Sequence, residues 1–265
     1  MLVSKCYNNS MYKEFTAPEW RKLFKLPDDY SVSGILVYGA WDKPKQTSIL
    51  EKHLADMGIE FQLNPLPDFL SGMSELVIDG KHYWFAVAYG GAILSEYVHL
   101  ACMFGSRKNI LIGSCGGLFE QMNSGDFILP TYVNGNESST RLYQREVSDH
   151  KHMPDQALGD SLTNRIDAKY KIHRGPTITC QAMMGETLQD IKDWSAAGYF
   201  GVEMEAATVI AVSNHFKVPA TALLVVGDNL IKGEAVGGEG YENARVFREE
   251  VRVQQYHAAI LELLK

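Results

Sequence analysis

From residue 34 onward, short apolar runs alternate with longer stretches of helical spacing. Residues 34–38 (GILVY), 109–112 (NILI) and 220–226 (ATALLVV) are continuous apolar runs of strand length, the pattern of strands covered on both faces. Residues 76–78 and 83–88 flank Asp79-Gly80, a pair suited to the positive-φ turn of a hairpin. Residues 126–130 and 172–180 also read as extended. Residues 47–57, 93–104, 187–196 and 204–216 place apolar side chains at helical spacing, and 241–264 reads as a long closing helix. The polar stretch 134–152 reads as loop. This alternation predicts an α/β fold: a single domain with a central, mixed, mostly buried β-sheet flanked by helices on both faces.

Residues 1–33 precede the alternation and read as an N-terminal extension. Within them Thr16 and Pro18 mark a helix start for 17–26, and Pro27 marks its stop. No repeat, low-complexity segment or linker divides 34–265, so one domain is predicted there.

Composition narrows the function. A net charge of −7 argues against a nucleic-acid partner, because phosphate contacts need clustered Lys and Arg. The run 245–252 (RVFREEVR) mixes both signs and reads as a solvated helix face. Cys6, Cys102, Cys115 and Cys180 are too scattered for a metal or redox pair and read as reduced thiols of a cytoplasmic protein. No apolar run approaches the roughly 20 residues of a membrane-spanning helix, so no membrane partner is expected.

Four places carry candidate chemistry. The glycine-rich run Gly113-Ser114-Cys115-Gly116-Gly117 follows a strand, where backbone amides can face an anion. It also matches a G-x-nucleophile-x-G elbow, with Asp228 and His257 following in hydrolase order. That elbow needs a helix directly after it, and only 118–122 precede the turn residues 123–125. Glu203 and Glu205 lie at the mouth of an apolar helix, where at least one carboxylate must be buried and partnered. A carboxylate with two acceptor oxygens is suited to a vicinal diol, although acids at a helix start also complement its dipole. Asp228 ends the apolar strand 220–226, where open α/β sheets bind ligands, and Asp-Asn there is equally ordinary turn chemistry. His150 and His152, without a nearby Cys, read as surface loop rather than a metal site, and no metal is expected.

Together these pieces resemble the nucleoside phosphorylase-I family, which includes purine nucleoside phosphorylases, uridine phosphorylases and methylthioadenosine nucleosidases. The residues that carry the resemblance are Gly90-Gly91, Phe104-Gly105, IGSCGGL at 112–118, Gly125-Asp126, GVEMEAAT at 201–208 and Asp228. It runs from about residue 33 onward, and the spacing from Ser114 to Glu205 and on to Asp228 agrees with the purine enzymes.

The resemblance implies a sheet that is partly barrel-like and an enzyme that breaks the N-glycosidic bond of a nucleoside. Glu205 would bind the ribose 2′- and 3′-hydroxyls, with Glu203 beside it and Met204 beneath the sugar. Asp228 would protonate N7 of a purine, with Cys115, Gly116 and Met183 around the base. Gly39, Gly113, Ser114 and Lys43 or Lys45 would hold the phosphate or water that attacks the sugar. Purine is expected over pyrimidine, because 175–201 holds no arginine to read uracil.

Leu111 and Ser71 stand where family phosphorylases carry phosphate-binding arginines, which tips the expected acceptor toward water, with phosphate as the alternative co-substrate. No other cofactor is implied. A non-catalytic nucleoside sensor and a hydrolase using Cys115 are further alternatives. A homo-oligomer, dimer or trimer of dimers, is expected, with Tyr7, Tyr12, Phe15 and Trp20 of the extension capping the site or widening the interface.

Overall fold

The computed structural model describes residues 11–234 and 245–265. Ten strands form one sheet, and five of them close into a ring. The strands are β1 (Gly34–Gly39), β2 (Gln62–Pro65), β3 (Met73–Ile78), β4 (Lys81–Ala88), β5 (Asn109–Gly117), β6 (Phe127–Asn134), β7 (Lys151–His152), β8 (Ile172–Thr179), β9 (Gly201–Glu203) and β10 (Ala220–Asn229). β5 pairs with β10 and β9, and the circuit β10–β6–β8–β9 completes the ring. β1, β4, β3 and β2 continue the sheet outward from β5. The mixed, partly barrel-like sheet is thus observed.

The most apolar runs occupy the middle of this arrangement, as burial on both faces requires. Every residue of β10 is buried, and so are the first five of β1. The Asp79-Gly80 hairpin forms as expected, with φ of 49° and 70° and Ile78 registered on Lys81.

Eight α-helices flank the sheet among the described residues: α1 (Ala17–Leu23), α2 (Lys43–Asp56), α3 (Gly91–Met103), α4 (Ser138–Tyr143), α5 (Gln156–Thr163), α6 (Leu188–Ala196), α7 (Ala206–His215) and α8 (Arg245–Leu264). One core lies between α3, α7 and the sheet and includes Trp84, Leu94, Phe104 and Ile210. A second lies under α2, α5 and α8 and includes Leu50, Leu54, Phe85 and Tyr256, and two smaller clusters lie around Cys115 and Leu118. Each such fully buried apolar side chain contributes about 1.5–3 kcal/mol.

Several elements differ from the sequence reading. The stretch 134–152 holds α4 and β7, whose His152 is buried, with Nδ1 2.6 Å from Gln144 Oε1 and Nε2 3.0 Å from the Gly135 carbonyl oxygen. It is a core histidine, not a loop residue. The glycine run 113–117 continues β5 as strand, because β10 pairs with it through Gly117. α5 and the short strands β2 and β9 were not anticipated. The closing helix is described from Arg245, and 241–244 lie outside the described residues. α1 ends at Leu23, where Lys25 turns left-handed (φ 55°) ahead of Pro27. Phe24, Tyr30 and Val32 enter the core, so residues just before Gly34 pack as part of the domain. No described helix is long and apolar enough to cross a membrane.

Candidate active site

The cleft forms where β5 changes partners. Along one edge β5 pairs with β1 as far as Gly39↔Gly113, and then with β9 from Gly116↔Val202. Ser114 and Cys115 fall in the gap between the two partners, beyond the carboxyl end of β1. This is the position in which α/β sheets bind ligands. Ser114 is exposed into the gap, and Cys115 is buried. The cleft measures about 470 Å³ and reaches β1, β5, β9, β10 and α8.

Glu205 is the N-cap of α7 and is buried. Its Oε1 accepts a 2.6 Å hydrogen bond from the Gly90 N–H. Gly90 has φ of 87°, a conformation that glycine adopts without strain. Its other oxygen lies against Gly39, where an added Cβ would come within 2.7 Å of Oε2. A side chain at residue 39 would therefore displace the carboxylate. Burial, and then the neighbouring Glu203 charge, push the Glu205 carboxyl above the usual carboxylate range.

Glu203 has a different environment. One oxygen accepts from the Glu205 and Ala206 N–H groups (2.7 and 2.6 Å), and the other accepts from the Thr179 hydroxyl. It caps the otherwise unsatisfied amides at the start of α7. Its oxygens are occupied by protein donors, and it lines the cleft beside Glu205.

Asp228 lies at the end of β10, after an irregularity in pairing: Val226 faces Cys115 and Asp228 faces Gly116, which leaves Gly227 as the extra residue. Such a bulge re-aims the following side chain. The Ser124 hydroxyl donates to the Gly227 carbonyl at 2.8 Å, and the Gly125 N–H donates to the Val226 carbonyl at 2.8 Å. The turn before β6 thereby holds the bulge, and Asp228 lines the cleft.

Of the other anticipated residues, Gly39, Lys45, Ser114, Cys115, Gly116, Met183 and Met204 line the same cleft. Lys43 does not; its ammonium donates to the Ser71 and Met73 carbonyls at 2.7 and 2.9 Å. Gly113 lies just behind the lining, registered on Gly39 of β1. Trp41 and Tyr89 meet edge to face at the mouth, 5.4 Å apart, and the Tyr89 hydroxyl reaches Met183 Sδ at 3.5 Å. None of residues 11–33 lines the cleft; Trp20 and Phe15 pack together near α3, and Tyr7 lies outside the described residues.

Sequence reasoning missed the arginines of α8. Arg248, Arg252 and Gln255 recur at i, i+4 and i+7, so they share one helix face. The Gln255 amide donates to the Gly113 and Leu223 carbonyls (2.8 and 2.7 Å) and fixes that face against β5 and β10. Arg252 and Arg248 then line the cleft about one and two turns nearer the helix start, with Arg248 buried and Arg252 bonded to Glu249 at 2.9 Å. The run 245–252 is therefore not a wholly solvated face. The signal was the seven-residue spacing, hidden by the acidic neighbours Glu249 and Glu250.

The cysteine-hydrolase alternative does not fit. β5 remains a strand through Cys115 with no helix after it. Burial, followed by the charges of Glu203 and Asp228, pushes the Cys115 thiol well up, away from a reactive thiolate. His257 instead packs on His53, with ring centres 5.2 Å apart. Among the described residues no group of His, Cys, Asp and Glu could hold a metal ion.

The sequence model of the phosphorylase superfamily matches residues 92–264, the span that supplies Ser114, Glu205, Asp228 and α8. The chain belongs to the phosphorylase superfamily. Among its relatives, a guanosine phosphorylase of Halorubrum lacusprofundi is 31% identical over 128 residues, 48% of this chain and 52% of that protein. A DeoD-type purine nucleoside phosphorylase of Clostridium beijerinckii is 27% identical over 138 residues, 51% of this chain and 57% of that one. A second DeoD-type enzyme, from Alkaliphilus metalliredigens, is 27% identical over 159 residues, 57% and 65% of the two chains. This superfamily member thus spans little more than half the length of the first two curated relatives.

Proposed function

We propose that this protein is a cytoplasmic enzyme that cleaves purine nucleosides with phosphate, releasing the free base and a pentose 1-phosphate. The observation that carries the reading is the meeting of three chemistries in one cleft: the anchored Glu205, the bulge-aimed Asp228 and the arginine face of α8. Ionised Glu205 accepts hydrogen bonds from the ribose 2′- and 3′-hydroxyls. Asp228 delivers a proton to N7 as the glycosidic bond breaks, so the base leaves neutral. The sugar then carries oxocarbenium character, and a phosphate oxygen closes on C1′ while the C–N electron pair goes to the base.

The choice of phosphate reverses the expectation drawn from Leu111. Leu111 is buried in the core with Val37 and Ala222 and is not a cleft residue. The positive charge that a phosphate dianion needs is offered by Arg248, Arg252 and Lys45 instead. The names of the relatives, guanosine phosphorylase and purine nucleoside phosphorylase, point the same way. The test is base release from inosine, guanosine and adenosine with and without phosphate, with the sugar product analysed. Phosphate-dependent turnover yielding pentose 1-phosphate is expected. Free ribose at an undiminished rate in phosphate-free buffer would return the reading to a hydrolase, and binding without any base release would make the protein a sensor.

A further inference from the structure

Asn229 follows Asp228 and is fully buried, and its side chain uses every hydrogen-bonding position that an amide has. The amide nitrogen donates to the Phe119 and Met122 carbonyls at 3.0 and 2.9 Å. The amide oxygen accepts from the Ile231 and Lys232 N–H groups at 3.1 and 3.3 Å, and so caps the single turn Leu230–Lys232. The backbone is tied as well: the Asn229 N–H donates to Glu234 Oε2, and the Glu234 N–H donates to the Asn229 carbonyl, both at 3.1 Å. The segment that Asn229 grips is itself anchored. Met122 is buried in the small cluster around Cys115, and Phe119 stacks on Phe200 with ring centres 4.6 Å apart. Lys232 adds a second tie, with Nζ donating to the Met122 carbonyl at 2.7 Å and to Asn123 Oδ1 at 2.9 Å. An aspartate at 229 would turn a carboxylate toward two carbonyl oxygens, and a leucine would leave two donors and two acceptors buried and unmet. Asn229 itself is not among the residues that line the cleft.

Asp228 therefore stands between two anchors on one segment. On one side the Gly227 carbonyl accepts from the Ser124 hydroxyl, and on the other the Asn229 amide holds the Phe119 and Met122 carbonyls. A bulge breaks the strand ladder, so the residue after it is aimed only as firmly as the bulge is held. We infer that Asn229 and Ser124 form a two-sided clamp on this bulge and are positioning residues for the proton transfer from Asp228. The inference rests on the purine reading above, in which Asp228 protonates N7. Such a transfer needs the two heavy atoms within about 2.6–3.2 Å of each other. A misplacement of about 1 Å, caused by a change away from the chemistry, can cost about 10²-fold. The clamp meets that demand with directional bonds, which fix an angle as well as a distance.

The experiment compares kcat and KM for guanosine and 7-methylguanosine, at saturating phosphate, in the wild type, Asn229→Ser, Ser124→Ala and Asp228→Asn. Methylation fixes a positive charge at N7, so that base departs without receiving a proton. Asn229→Ser should lower kcat on guanosine by about tenfold or more, short of the 10²–10⁴-fold loss that removal of the acid itself would bring. Ser124→Ala removes one part-buried hydrogen bond at the bulge, and should lower the same constant by about threefold or more. In both variants KM for guanosine and kcat for 7-methylguanosine should stay near their wild-type values, the pattern also expected of Asp228→Asn. Should Asn229→Ser fail to fold, the Ser124→Ala arm decides alone. Equal losses on the two substrates, a rise in KM for guanosine with kcat unchanged, or undiminished guanosine turnover would each overturn the clamp and leave the reaction standing. A wild type that cleaves neither nucleoside would instead sink the proposed reaction, and the clamp with it.

Discussion

Burial of Glu205 opposes the charge that the proposed grip on ribose would require, and the conflict is measurable. Its folded pKa is raised first by burial and then by Glu203. As pH rises from the ordinary carboxylate range, the unfolded chain releases this proton before the folded chain does. The stability tied to the group is therefore full below that range and is lost as pH rises through the folded value. Glu205→Gln has no such titration, so its melting temperature should gain on the wild type between pH 5 and 8, while ribose binding collapses. A pH-independent difference would show that the carboxylate is not desolvated as described. Asp228→Asn should lower turnover by about 10²–10⁴-fold with the fold intact, the usual share of a general acid; near-wild-type rates would remove it from the mechanism. Both residues were legible in the sequence, because an acid stranded among apolar residues has to be explained. A buried, partnered carboxylate in the 203/205 pair was legible, but not the full set of partners of Glu203, since the Thr179 hydroxyl reaches it from another strand.

The elements most legible in advance were those whose pattern is set by burial on both faces, β1 and β10, and by turn chemistry, the Asp79-Gly80 hairpin. Elements stabilised by their neighbours were not. β9 is three residues long and exists because it spans β5 and β8, and α4 packs on α7 across a stretch of polar sequence. α8 was legible as a helix, but its arginine face required knowing that Gln255 bonds the Gly113 carbonyl. This face carries its own prediction. Arg252→Gln should raise KM for phosphate by about tenfold or more, the loss expected when a charge-assisted bond to phosphate is removed, and should change KM for the nucleoside less. Equal effects on the two constants would assign Arg252 to general packing.

For the whole molecule, the exposed Trp41, Met184 and Leu188 are large apolar side chains on or near the segments that line the cleft. Scattered exposed apolar residues are ordinary, but those on segments that rim a cleft are candidates for cover by another chain. We expect a homo-oligomer, and sedimentation velocity should return a species of at least twice the 29.6 kDa chain. A fully active monomer would refute it. The ring has a further consequence for how the protein opens. β5 is partnered on both edges along 109–113, by β1 on one side and β10 on the other, so that stretch has no free border from which to fray, while Ser114 and Cys115 lie in the gap between β1 and β9. β2, by contrast, ends the sheet and pairs only with β3. In deuterium oxide the amides of residues 109–113 should exchange only through global unfolding, whereas those of β2 exchange through local opening. The strand that carries Ser114 is thus a slow clock over its first half and a faster one where it meets the cleft.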